Sequence, residues 1–571
     1  MANKKVFSFT SSAFAPVRQT ATLPVADTVN SAGGKAYLAG AEHQLAQFVN
    51  TGTFNDTLTI SAENQVATVI SLCHQVSPQY IAQTALEARF AGFMKDSPAL
   101  LMAVLLVRDG ELFERAFPVV MDSLKQVRTF MQIVRSGVVG RKSFGSRAKR
   151  VIRNWLENCS EDNLFRQSVG NNPSLADMIK MVHPRASNEK REALYGYLVG
   201  NKVVKDRSQM TVRTLKNGVN IKETVLTETL PSLVQNFEMY KTTREGTMPS
   251  VPFEMLATLA TTEGHWREIA EKATWTQTFK NLNTFERHGV FKDIKITNAL
   301  CERLRNAALV RRAKVFPYSL MMAHDMASAN ASIPRDVTTA LEAALNVATE
   351  NVPLLEGMVY IFVDVSGSMD SNRVTGARKG ATTKVTCRDV SALIAASIAK
   401  RNGQAVVMPF SDRLYPSYSL DTDKSVLENA KVLRKLPSGG TMCSLTLAHL
   451  NATNVAHGDK SVLCIYVSDN ESYLDSQSSY ATQTMVEWAK FKARNPNAKL
   501  VCIDLVPNNH SQAKESKDVM NIGGWSDNNF KMIAAFSRGE FGADFWVNKI
   551  KSLELSSADV GTKNSLVAEE D

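Results

Sequence analysis

The chain is predicted to be multidomain: an all-α helical region followed by an α/β domain built on a doubly wound parallel sheet. Three observations predict this. Its 571 residues exceed what one hydrophobic core usually organises. From about Ala32 to Glu350, apolar residues recur at three- and four-residue spacing. After Pro353, short apolar runs alternate with helical stretches.

Segments such as Asp96–Val107, Ser146–Glu157, Leu175–His183, Asn188–Val199 and Ile296–Arg312 carry the helical period. Gly and Pro punctuate them. Asn201–Leu230 is less regular and reads as containing extended chain. No fixed-period repeat is visible. The second domain opens on the buried strand Met358–Val365. Strands then follow at Gln404–Phe410, Ser461–Ser468 and Lys499–Val506. Helices are expected at Arg388–Arg401, Lys424–Leu436, Ser444–Ala456, Thr482–Ala493 and Asn528–Phe536. The boundaries read as a flexible arm over 1–30, a helical domain over 31–353, the α/β domain over 354–555 and a polar tail over 556–571.

No apolar stretch is long enough to span a bilayer, and the polar N-terminus lacks a signal-peptide core. The seven cysteines are scattered, with no CxxC pair, which points to a reducing cytoplasmic setting without a zinc cluster. The formal charge is +10, and the whole excess precedes residue 355. Basic surface of this kind favours a polyanion. It is densest at Lys125, Arg128, Arg135, Arg141, Lys142, Arg147, Lys149, Arg150 and Arg153, with no Asp or Glu between Ser123 and Leu156. Arg147, Arg150 and Arg153 share a helix face and need either a polyanion or acids from elsewhere.

A cation site is predicted where strand Met358–Val363 runs into Asp364-Val365-Ser366-Gly367-Ser368. Sheets of this type bind ligands at the carboxyl ends of their strands. Asp364, Ser366 and Ser368 supply hard oxygens at alternate positions. Thr441, after two glycines, and Asp469, at the end of a strand, supply two more. Few charges and several neutral oxygens suit Mg²⁺ or Mn²⁺. The alternative is that Asp364 and the serines only cap the next helix.

These five residues resemble the metal-ion-dependent adhesion site of von Willebrand factor A domains. The resemblance implies that they hold the ion, some through water, and that the ion accepts a partner's carboxylate without doing chemistry. The segment Asn372–Cys387, with Arg373, Arg378, Lys379 and Lys384, is longer than a minimal A domain needs. It either screens the site, adds an RNA contact or is a plain solvated loop.

The helical region resembles the TROVE domain of the Ro autoantigen family, of the bacterial or phage type. Carrying stretches include Val127–Gly140, Arg147–Leu156, Leu175–Arg185, Lys272–Asn283 and Leu304–Ala323. The later Leu436-Pro-Ser-Gly-Gly-Thr-Met-Cys-Ser-Leu and Val467-Ser-Asp-Asn-Glu-Ser also look like that family's versions. The resemblance implies a monomeric, HEAT-like helical ring closed by the A domain. Its basic hole would take single-stranded 3′ ends of misfolded noncoding RNA, with Lys125–Arg153 lining it. Its outer surface would bind Y-like RNA through Arg166 and His183, while a second basic position of that surface falls on Gly170. His183 has a structural alternative, as a histidine at a helix C-terminus before Pro184. The resemblance implies a non-catalytic partner of an exoribonuclease. The competing readings are a metal-dependent RNA hydrolase and a protein-adhesion module. Two-metal chemistry needs more clustered carboxylates than this site offers. Position 366, two after Asp364, is Ser, and neither GxSxG nor HExxH occurs.

Overall fold

The structure is a computed structural model. It describes residues 23–555 apart from 32, 53, 171, 201–211, 215–219, 223–228, 314, 316, 351, 376–384, 416–419, 422, 473–474, 476–479, 525 and 541–543. Most of the 1–30 arm, the 556–571 tail, and Arg378, Lys379 and Lys384 therefore lie outside the described residues.

A short antiparallel hairpin comes first, β1 (Thr28–Val29) and β2 (Lys35–Leu38). Helices follow, and the site depends on ten of them. These are α1 (Ala41–Thr51), α2 (Pro78–Phe90), α3 (Gly110–Val120), α4 (Leu124–Ser136), α5 (Gly145–Asn158), α6 (Glu161–Arg166), α7 (Leu175–Val182), α8 (Trp275–Lys280), α9 (Pro317–Ser328) and α10 (Arg335–Thr349). Their starts follow from local chemistry. Ser77, Asp109, Ser123, Ser160, Ser174 and Thr274 each accept a free N–H of the first turn. The expected helix Ile296–Arg312 is instead two, Ile294–Arg305 and Ala307–Ala313. Asn306 breaks it, its side chain accepting from Leu309 N–H as the cap of the second piece. In the irregular stretch, Val212–Thr214 and Asn220–Lys222 pair as antiparallel strands, in line with the extended chain expected there.

The second domain is a five-stranded parallel sheet. Its strands are β3 (Met358–Asp364), β4 (Val406–Phe410), β5 (Val462–Ser468), β6 (Ala498–Asp504) and, after the short β7 (His510–Ser511), β8 (Val519–Gly523). The order is β8-β6-β5-β3-β4. Side chains alternate between two buried faces. Tyr360, Phe362, Cys464, Tyr466 and Cys502 pack on one side. Val359, Ile361, Val363, Ile465, Val467 and Ile503 face the other, in a core continuous with that of the helical domain. Both faces being apolar explains why β3 reads as an unbroken hydrophobic run.

Both ends of the helical array dock on this sheet domain. α1 packs on edge strand β8, and α1 and α2 both pack on the terminal helix α13 (Phe545–Lys551). At the other end, α9 packs on α11 (Cys387–Arg401) and α10 on α12 (Val426–Arg434). The chain thus closes into a ring. At the first seam Gly523 lets α1 approach closely: a Cβ would lie 2.2 Å from Gln47 Oε1 and 2.9 Å from Thr51 Cγ2, so those side chains would have to move. At the second, Arg434 bridges Asp325 at 2.7 Å and Asp389 at 2.6 Å. The 28–38 hairpin belongs with the A domain, because β2 pairs with β7 and Asn30 donates to the Ser472 carbonyl.

Two outcomes follow for stability. Gly523→Leu forces α1 off β8 and should cost about 1–3 kcal/mol, read as a lower denaturation midpoint. Burial raises the Asp325 carboxyl, but hydrogen bonds from His324 and Arg434 win and hold it below its usual value. A depressed folded pKa gives stability that is present above about pH 4 and lost as pH falls through the folded value. In Arg434→Leu that acid-side loss should shrink, and urea melts between pH 2 and 5 would show it.

Candidate cation site and basic surfaces

All five prospective ion ligands lie at the carboxyl edge of the sheet. Asp364 ends β3, and Asp469 follows the last residue of the adjacent strand β5. Parallel strands end on the same side, so both carboxylates reach one rim, and both are fully buried. Asp364 accepts Ser366 N–H through Oδ1 at 2.8 Å and the Ser468 hydroxyl through Oδ2 at 2.7 Å. The Ser366 and Ser368 hydroxyls lie 3.1 Å apart, and Ser368 also bonds Asp469. Thr441 is buried on a loop whose Gly439 carbonyl accepts from Gly367 N–H at 3.0 Å. Its side chain makes no hydrogen bond among the described residues. The structure therefore brings Asp364, Ser366, Ser368 and Asp469 together and lays the Thr441 loop against them. Ser366 occupies a helix N-cap yet makes no side-chain cap bond, so capping does not explain its hydroxyl.

Burial drives both carboxyls up. That of Asp469 rises to about 8, with the Asp364 charge adding to the burial effect. Two buried, mutually repelling carboxylates make a pit that a divalent cation would neutralise. Among the described residues no three His, Cys, Asp or Glu side chains form a metal cluster. An ion here would rest on two carboxylates and neutral hydroxyls, a donor set that fits Mg²⁺ or Mn²⁺.

Two rim residues escaped the sequence reading. Asn372 is buried. Its amide donates to Asp469 Oδ2 at 3.4 Å, and its carbonyl accepts Leu58 N–H at 2.8 Å, tying the rim to the helical domain. Asp504 ends β6, and burial pushes its carboxyl up to about 7. It holds the Asn470 and Asn508 amides at 3.0 and 3.3 Å. Its place at a strand end was a usable signal. Asn372 had none. In the Asn372–Cys387 segment, Arg373–Thr375 pairs with Val385–Thr386, and Arg373 is exposed.

The basic stretch divides in two. Arg147 and Arg150 both pair with Glu114 of α3, so the face is partly neutralised from outside the acid-free stretch. Arg153 donates to the Val182 carbonyl at 2.8 Å, beside exposed His183, and Arg150 shares a cleft with Arg166. Those residues form one surface over α5–α7. α5 packs directly on α7, which brings the group expected to line the hole close to Arg166 and His183. His183 caps α7 at a φ of 50°, and Arg166 donates to the Ser250 carbonyl at 3.1 Å. Arg128 donates to the Val169 and Gln167 carbonyls. Its guanidinium would stand 2.3 Å from a Cβ on Gly170. A cation thus still occupies the place where Gly170 brings none.

Lys125 faces elsewhere. Lys95 is exposed to solvent, yet surrounding protein desolvates its ammonium and pushes it below its usual range, with Lys125 and Lys280 adding to the shift and Asp96 opposing it. The three ammonium groups therefore share one basic patch. Its lysines come from parts of the array far apart in sequence, and Lys95 and Lys280 were not legible as partners of Lys125. Arg135, Lys142 and Lys149 make no ion pair among the described residues, and Arg141 donates to the Ser143 carbonyl.

Fold and rim together define a class, a von Willebrand factor A domain onto which both ends of a helical array close. Residues 359–537 match the Ro60 vWA domain family. The chain is 23% identical over 551 residues to the RNA-binding protein RO60 of Deinococcus radiodurans, covering 91% of this chain and 97% of that protein. It is similar to the crystal structure of the Deinococcus radiodurans RO (RSR) protein, with a TM-score of 0.59 at 17% identity, covering 88% of this chain and all of that one. The chain is similar to Ro proteins over most of its length.

Asp364→Ala would orphan both Ser366 N–H and the Ser468 hydroxyl, at about 1–3 kcal/mol per unsatisfied group. Asp364→Asn is the better variant, since it keeps the shape and removes a charge. Mg²⁺ should raise the melting temperature of the native protein and leave that of Asp364→Asn unmoved. An equal rise in both would remove the site assignment.

Proposed function

We propose that this protein is a non-catalytic RNA-binding scaffold that takes single-stranded RNA ends on the Lys95–Lys125–Lys280 patch and structured noncoding RNA on the α5–α7 surface. The observation that carries the reading is the proximity of Lys95, Lys125 and Lys280, drawn together from distant parts of the chain, since clustered like charges favour a polyanion. The chain's similarity to the RNA-binding protein RO60 of Deinococcus radiodurans supports it. The finer reading is a monomeric ring that holds misfolded 3′ ends and Y-like RNA for an exoribonuclease in the cytoplasm. No helix among the described residues is long and apolar enough to cross a membrane. A bound Mg²⁺ or Mn²⁺, held by Asp364, Ser366, Ser368, Thr441 and Asp469, would offer a coordination position to a partner's carboxylate. The rim's own residues orient that position, through Asn372 on Asp469 and Ser468 on Asp364.

Replacing Lys95, Lys125 and Lys280 with Gln should weaken binding of a single-stranded 3′ tail. It should also flatten its salt dependence by about two units, at roughly 0.7 per lost phosphate contact. Fluorescence anisotropy across a salt series measures both. Labelled single-stranded RNA incubated with protein and Mg²⁺ should stay full length. Cleavage lost in both Asp364→Asn and Asp469→Asn would establish the hydrolase reading instead.

A further inference from the structure

The α5–α6 cleft carries chemistry that phosphate binding alone does not use. Its volume is about 700 Å³. Along α5, Arg150, Asn154 and Asn158 stand four residues apart, so they form one stripe on one face. Asn163 and Arg166 of α6 line the cleft with them. Asn154 and Asn158 are exposed, and the side chains of Asn154, Asn158 and Asn163 make no hydrogen bond among the described residues. Three uncommitted carboxamides in one cleft offer donors and acceptors side by side.

The rest of the cleft suits a flat ring between phosphates. Pro118, Met121 and Val151 supply an apolar lining. Trp155 is pinned there by its indole N–H, which donates to the Met121 carbonyl at 2.7 Å. The two acids present do not repel an anion freely. Glu114 is matched by Arg147 and Arg150, and Asp122 by Arg89 at 2.8 Å. Each wall carries a guanidinium, Arg150 beside Glu114 and Arg166 beside the Ser250 carbonyl, whose remaining N–H groups can meet phosphate.

We infer that this cleft is a nucleobase subsite, in which one unpaired base of a bound RNA inserts between α5 and α6 and is read by Asn154, Asn158 and Asn163. The inference rests on the RNA-binding reading and adds base recognition to it. A paired base cannot enter, because in an A-form duplex its Watson–Crick edge is occupied and it stays stacked, with a major groove too narrow for side chains.

Two hairpins with the same stem test this, one fully paired and one with a single bulged 2-aminopurine. Native protein should bind the bulged hairpin about tenfold tighter, the scale of one good bidentate base contact. The 2-aminopurine emission should change on binding. The double variant Asn154→Ala/Asn158→Ala should erase the preference and leave affinity for the paired hairpin unchanged. Both positions are exposed and their side chains make no hydrogen bond among the described residues, and Asn154→Asp, which keeps the shape but removes the donors, should also lose the preference. Equal affinity of native protein for both hairpins overturns the subsite while leaving RNA binding intact. So does a preference that survives in the double variant. Binding of neither hairpin, nor of a single strand, overturns the RNA reading itself.

Discussion

The rest of the structure depends on one constraint: the parallel sheet must bury both of its faces, and α11, the helix that covers one of them, is itself packed against the helical domain. Val359, Ile361, Val363, Ile465 and Val467 share a continuous core with the helices. At roughly 25 cal/mol per Å² of buried apolar surface, such a seam outweighs any single polar contact across it. The array is therefore held at both ends. α1 meets edge strand β8 and helix α13, while α9 and α10 meet α11 and α12. Arg434 and Gly523 give the seams their geometry rather than their strength.

Closure sets the electrostatics. Lys95, Lys125 and Lys280 come from distant parts of the array yet lie near one another, so their like charges favour an anion. The cation rim follows from the same sheet. Two adjacent parallel strands ending in Asp364 and next to Asp469 place two carboxylates in one buried pit. Asn372 then couples that pit to Leu58 of the helical domain. The two functional regions are separate chemically but share one scaffold.

Much of this was legible in the sequence because it is local. The strands β3 to β6, the helices between them and the five rim residues announce themselves through period, punctuation and spacing. Ser366 illustrates the limit: sequence leaves capping and ion binding open, and only geometry shows the hydroxyl turned to Ser368. What was not legible is what depends on distant chain. Glu114 lies upstream of the acid-free stretch, so its pairing with Arg147 and Arg150 is invisible until α3 packs on α5. The 28–38 hairpin read as the end of an arm and the start of the helical domain, because its partner β7 is only two residues long and lies more than 450 positions away. β8 and α13 are short and follow irregular chain, so neither period rises above background. Arg128 standing over Gly170 is a substitution in space rather than in sequence.

The central claim is that ring closure creates two distinct RNA-binding surfaces on the helical domain. Photocrosslinking a hairpin with a single-stranded 3′ tail to the native protein, with peptide mapping of the adducts, tests it most directly. The account predicts that tail nucleotides crosslink near Lys95, Lys125 and Lys280, and stem-side nucleotides near α5 to α7. Crosslinks confined to the A domain, or tail and stem falling on the same peptides, would contradict it.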